Sequence, residues 1–204
     1  MLTALLVKAA LPLPDTPSGY VLPILLGVTV QELLRPITYK GYRISLDQLN
    51  GVADNMGFPS LSVLDKFMLT LAIGFGHGLS HLVFFFLSIL PASMGQGTYY
   101  VDTCPQMSIF LYYALTGLCF LIIHTSSMVV AYTAYSKEDR KLLNWIQVPL
   151  LHYTASLLTL LNFMQGGCVY VIPALAVLSA AVMTHGLFIF VRMKGHAFSV
   201  STRI

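Results

Sequence analysis

Two histidines, His124 in "CFLIIHTSSMVV" and His152 in "LLHYTASLLTLLN", stand in otherwise apolar runs, and His77 and His81 share the stretch "GFGHGLSHLVFFF". An imidazole can ligate a metal, exchange a proton near neutral pH, or hold a hydrogen bond between helices. Buried alone it costs free energy, so each of these positions needs a partner. His77 and His81 are four residues apart, the spacing of two ligands on one helix face. No glutamate follows His77, so "HGLSH" is not the zinc-protease pattern, and neither a metal nor another cofactor is expected. Glu32 and Arg35, in "QELLRPITYK", are three apart and can pair along a helix, with the polar Gln31 beside them.

The elements that position these residues are membrane helices. Of the 204 residues, 56% are hydrophobic and only 9% are charged, and the mean hydropathy is +0.77. This composition excludes a soluble domain, and nothing in it points to nucleic acid. Five stretches are apolar enough to cross a hydrocarbon core of about 30 Å, which takes roughly 20 helical residues. They are Gly19–Leu34, Phe67–Leu90, Met107–Tyr135, Leu142–Leu161 and Cys168–Val191. The expected fold is therefore all-α, a polytopic membrane helix bundle of about five transmembrane helices. Pro36 is expected to end the first span, because proline disfavours helix at the residue before it.

With five antiparallel spans, Arg35, Lys40, Arg43, Lys66, Lys137, Arg140, Lys141, Arg192, Lys194 and Arg203 all fall on one side, and Lys8 on the other. The positive-inside rule makes the basic side cytosolic and places the C-terminus there. The chain then divides into residues 1–18, an extracytosolic segment or the remnant of an upstream span, residues 19–195, the bundle, and residues 196–204, a cytosolic tail. His77 and His152 each lie eleven residues, and His124 thirteen, from a basic residue at that side. At about 1.5 Å per residue this sets all three roughly 16 to 20 Å deep, near the midplane. A shared polar cavity and separate helix-to-helix hydrogen bonds both satisfy that coincidence.

Catalysis finds little material. An intramembrane aspartyl protease needs two carboxyl groups at membrane depth, but the aspartates fall in loops and Glu32 is alone. Ser80, Ser126 and Ser127 supply hydroxyls, yet no spacing specifies an activated nucleophile. Ala72, Gly76 and Ser80 recur every four residues, with Gly74 and Gly78 a second pair, and such small residues let another helix approach closely. Glu32 and Arg35 are accounted for equally by an interfacial ion pair with snorkelling side chains. Cys104 and Cys168 both fall on the outer side, where a disulfide and two separate thiols are both open; Cys119 is a small packing residue. A small transporter or proton-conducting protein using the histidines as a relay is the competing class, and against it the sequence shows no internal repeat and no midspan carboxylate.

The order of these motifs resembles the anterior-pharynx-defective (Aph) family, the multispanning scaffold subunit of gamma-secretase. "QELLRPITYK" is similar to the family's Gln-Glu, Arg and Tyr-Lys pattern, and "LIIHT" followed by "SKEDRK" to its histidine span and charged turn. "LLHYTASLLTLLN" and "YVIPALAVLSAAVMTHGLFIF" resemble its last two spans. The family usually has seven spans, so on this resemblance the first two are missing from the chain. The resemblance implies a non-catalytic role, binding a presenilin-like protease, a nicastrin-like subunit and the presenilin-enhancer subunit, in the endoplasmic reticulum and Golgi and onward to the plasma membrane or endosomes. It assigns His124 and His152 to a polar cavity supporting assembly, Ala72, Gly76 and Ser80 to packing, and Gln31, Glu32 and Arg35 to a polar cluster supporting the fold.

Overall fold

A helix occupies most of each of the five apolar stretches in the computed structural model, which describes residues 10–11, 14, 16–87, 89–90, 94, 100–136 and 142–201. The helices are α1 (Pro17–Asn55), α2 (Val63–Leu87), α3 (Ile109–Ser136), α4 (Leu142–Leu158) and α5 (Gly167–Ser201). Four of them, all but α4, are long and apolar enough to cross a membrane by length and composition. Helix α4 has 17 residues and runs directly into a 3-10 segment, Thr159–Phe163, so the two together reach about 35 Å. An antiparallel hairpin, β1 (Tyr100–Val101) and β2 (Cys104–Ser108), precedes α3 and is the one departure from an all-helical chain among the described residues. The basic turn carrying Lys137, Arg140 and Lys141 lies outside the described residues, as do Lys8 and Arg203.

Helix α3 is the axis of the bundle. From Cys119 through His124 to Ala134 none of its side chains is exposed, whereas the other helices bury a single stripe. An α-helix that is apolar all round belongs in the interior, and the outer helices supply its walls. Their outward side chains, among them Leu33, Ile37, Phe75, Leu150 and Phe188, are exposed. Such a surface suits lipid contact and not water.

Helix α1 corrects the expectation at Pro36. It continues to Asn55, 39 residues in all and about 58 Å long, nearly twice the hydrocarbon thickness. Proline removes one backbone donor, but membrane helices tolerate this where side chains and neighbouring helices compensate. The Thr38 hydroxyl donates to the Arg35 carbonyl at 2.8 Å, and Tyr39 and Tyr42 beyond the proline pack against Tyr132 of α3 with ring centroids 5.2 and 5.0 Å apart. Tertiary packing thus overrides the local preference. Lys40, Arg43, Asp47 and Asp54 lie on this helical extension, and Lys66 and Asp65 in the first turn of α2, so these residues are helical and not in a loop.

At the opposite end the hairpin is fastened to the start of α5. Cys104 and Cys168 form a disulfide with Cα atoms 6.3 Å apart, closing a 64-residue separation. Gly166 N–H donates to the Thr103 carbonyl at 2.7 Å, and the Thr103 hydroxyl to the Asn162 carbonyl at 2.7 Å. Gly166 has φ +71°, a conformation open to glycine at little cost.

Helix α2 meets α3 through Gly74 and Gly78. A Cβ on Gly74 would lie 2.6 Å from the Thr125 carbonyl oxygen, and one on Gly78 2.9 Å from the Leu121 side chain. Gly76 has nothing within 4 Å of that position. Gly74→Ala should therefore cost about 1–3 kcal/mol of stability by overpacking. Gly76→Ala should be neutral or stabilise by up to about 1 kcal/mol through helix propensity. Thermal unfolding of the two variants in mild detergent checks this; equal shifts would contradict the packing.

Candidate polar centre

Helix α1 presents Thr29, Glu32 and Arg35 at intervals of three, a polar stripe turned into the bundle. The Thr29 hydroxyl lies 2.7 Å from the Tyr153 hydroxyl of α4. Glu32 and Arg35 form a two-pronged ion pair: Arg35 Nη2 donates to Glu32 Oε1 at 2.8 Å and Arg35 Nε to Oε2 at 3.1 Å. Glu32 Oε1 also meets His152 Nδ1 at 2.7 Å. The remaining Arg35 donor, Nη1, reaches the Ser127 hydroxyl of α3 at 3.2 Å, and Ser127 donates in turn to the His124 carbonyl at 3.2 Å. Arg35 is only 3% exposed, so the pair is buried and the snorkelling interfacial reading does not hold. The pair is intrinsically neutral, and planar matching of guanidinium to carboxylate gives it the geometry that burial demands.

His152 links this pair to a second group. Its ring meets His124 edge to face with centroids 4.9 Å apart. His124 in turn contacts His77 at 4.9 Å and His81 at 4.6 Å. Three helices therefore deliver four imidazoles to one place. His124 is fully buried and neither ring nitrogen has a hydrogen-bond partner among the described residues; His152 Nε2 and His77 Nε2 are likewise unbonded. A carboxylate at Glu32 fixes a proton on His152 Nδ1, which leaves Nε2 free to face His124. Among the described residues no set of three or more His, Cys, Asp or Glu is arranged to hold a metal ion.

The sequence-predicted residues thus separate into three groups. Glu32, Arg35, His124 and His152 come together. Gln31 does not join them: its amide donates to the Gly27 carbonyl at 3.2 Å along its own helix. Ala72, Gly76 and Ser80 form an exposed stripe on α2, facing away from α3, and Ser80 donates to the Gly76 carbonyl at 2.9 Å. Thr29 and Tyr153 are members of the centre that the sequence did not single out, while His81 and Ser127 stood out for other chemistry and join it here. The three-residue interval through Thr29, Glu32 and Arg35 was a readable signal, whereas Tyr153 carried none.

Fold and centre together define a multi-pass helical membrane protein organised around a buried ionic and histidine core. The sequence pattern of the family described as Aph-1 protein matches residues 1–193, and the chain belongs to that family. It is similar to the gamma-secretase subunit APH1-like of Arabidopsis thaliana, with 40% identity over 166 residues, 81% of this chain and 66% of the relative. No solved structure matches the chain.

Removing the carboxylate tests the ionic part of the centre. Glu32→Leu strands a buried guanidinium and should cost about 3–5 kcal/mol of stability. The double variant Glu32→Leu with Arg35→Leu removes both charges and should recover part of that loss, read as the thermal midpoint in detergent. A double variant as unstable as the sum of the singles would sink the buried-pair assignment.

Proposed function

We propose that this protein is a non-catalytic scaffold subunit of a gamma-secretase-type intramembrane protease complex. Membership of the Aph-1 family carries this reading, and the name of the Arabidopsis relative agrees with it. Its partners are a presenilin-like protease, a nicastrin-like subunit and the presenilin-enhancer subunit. It resides in the endoplasmic reticulum and Golgi and travels onward within the assembled complex, with residues 19–195 as the bundle and the basic C-terminal tail in the cytosol.

The physical design supports such a role. Glu32 is held in place by Arg35 and His152, and no second carboxyl group joins it among the described residues. That arrangement ties α1 to α4 through a buried, charge-assisted hydrogen bond. His124 and His152 hold α1, α3 and α4 in register, presenting a fixed outer surface to partners. Ala72, Gly76 and Ser80 then form the outward small-residue stripe on which a partner helix docks. Four touching imidazoles also suit a proton-conducting protein, and that reading makes a different prediction.

Purification in mild detergent separates the two. Co-purification of presenilin-like and nicastrin-like chains is expected, and a self-sufficient oligomer that moves protons in liposomes would overturn the scaffold. Replacing both His124 and His152 with Leu should lower partner recovery several-fold relative to replacing the exposed His185; equal recovery would contradict an assembly role for the pair.

A further inference from the structure

A cavity of about 380 Å³ opens at the basic end of the bundle, between the extension of α1, the first two turns of α2, the last two turns of α3 and Met193 of α5. Its volume falls within the roughly 300–1,000 Å³ range of small-ligand sites. It is distinct from the polar centre, and none of the residues discussed there lines it. Two cations, Arg43 and Lys66, stand at its wall, and neither takes part in an ion pair among the described residues. Asp47, one turn from Arg43, is the one carboxylate in the lining, leaving an excess of positive charge.

The neutral groups there favour an anion as well. The Tyr39 hydroxyl is buried beside the Arg43 guanidinium, which can only donate toward it, so the hydroxyl's own proton goes to no acceptor among the described residues. A buried O–H that is not donated costs free energy, and an acceptor entering the cavity would satisfy it. The Lys66 carbonyl, by contrast, is fully engaged: Thr70 donates to it at 2.8 Å and Tyr42 at 3.4 Å, which fixes the wall from which the Lys66 ammonium extends. Leu46, Phe67 and Val129 make the deeper lining apolar. Tyr39, Tyr42 and Tyr132 line the cavity, and their ring cluster continues through Tyr135 to Trp145. Aromatic residues beside basic ones mark the headgroup level of a bilayer.

We propose that this cavity binds the phosphate headgroup of an anionic phospholipid drawn from the surrounding leaflet. Arg43 and Lys66 hold the phosphate oxygens, Tyr39 donates a hydrogen bond to one of them, and the apolar lining takes the glycerol end. A soluble phosphate could use the same donors but not the apolar lining or the position at the bundle rim. The proposal does not depend on the scaffold function, because it concerns this chain and its bilayer alone.

Native mass spectrometry of the full chain, purified with whatever assembly it carries and mixed with phosphatidic acid or phosphatidylcholine, tests it. Phosphatidic acid should be retained in preference to phosphatidylcholine. Arg43→Gln with Lys66→Gln should lower its retention roughly thirtyfold, the loss of two surface-level lipid contacts. Lys40→Gln, an exposed cation on the same helix but outside the cavity, should leave retention unchanged. Tyr39→Phe keeps the ring packing and should lower retention several-fold with the thermal midpoint preserved. Equal retention of the two lipids, or an equal loss in the Lys40 control, would overturn the site. Displacement of phosphatidic acid by an equal concentration of inorganic phosphate would overturn the assignment to lipid.

Discussion

The buried pairing of Glu32 with Arg35 is the constraint on which the rest of the structure depends. A lone carboxylate or guanidinium in this apolar interior would carry a desolvation penalty of several kcal/mol, so neither charge is tolerable without the other. The pair alone still leaves hydrogen-bonding capacity unused. His152 takes up the carboxylate from α4, and Ser127 takes up the guanidinium from α3. One ion pair on α1 therefore dictates where two further helices must stand. Between apolar helices in lipid the hydrophobic effect gives little such direction, because a leucine is as well solvated by acyl chains as by another leucine.

Close packing completes what the polar centre starts. Gly74 and Gly78 bring α2 against α3, which places His77 and His81 against His124. The Cys104–Cys168 disulfide secures the far end of the bundle, and the tyrosine cluster around Tyr39, Tyr42 and Tyr132 secures the basic end. Each outer helix is left with a face of exposed apolar or small side chains.

Much of this was legible in the sequence, for identifiable reasons. Hydropathy located the helices because lipid imposes a length and an apolar composition on any span. Counting residues from the basic end gave His77, His124 and His152 a common depth, since helical rise is constant. Depth says nothing of azimuth, so the contact of His124 with His152, and the entry of His81 into the cluster, emerged only from the assembled bundle. Pro36 misled because a local backbone preference was weaker than the packing of Tyr39 and Tyr42 beyond it. The second glycine pair, not the longer small-residue stripe, proved to make the internal contact, because spacing identifies a groove without identifying its occupant.

A double-mutant cycle between Glu32 and His152 probes the central contact most directly. Glu32→Gln, His152→Gln and the double variant would be compared by reversible unfolding in mild detergent. A charge-assisted hydrogen bond between α1 and α4 predicts a coupling of about 1.5–3 kcal/mol. Additive losses, with coupling near zero, would contradict a bundle organised around that bond.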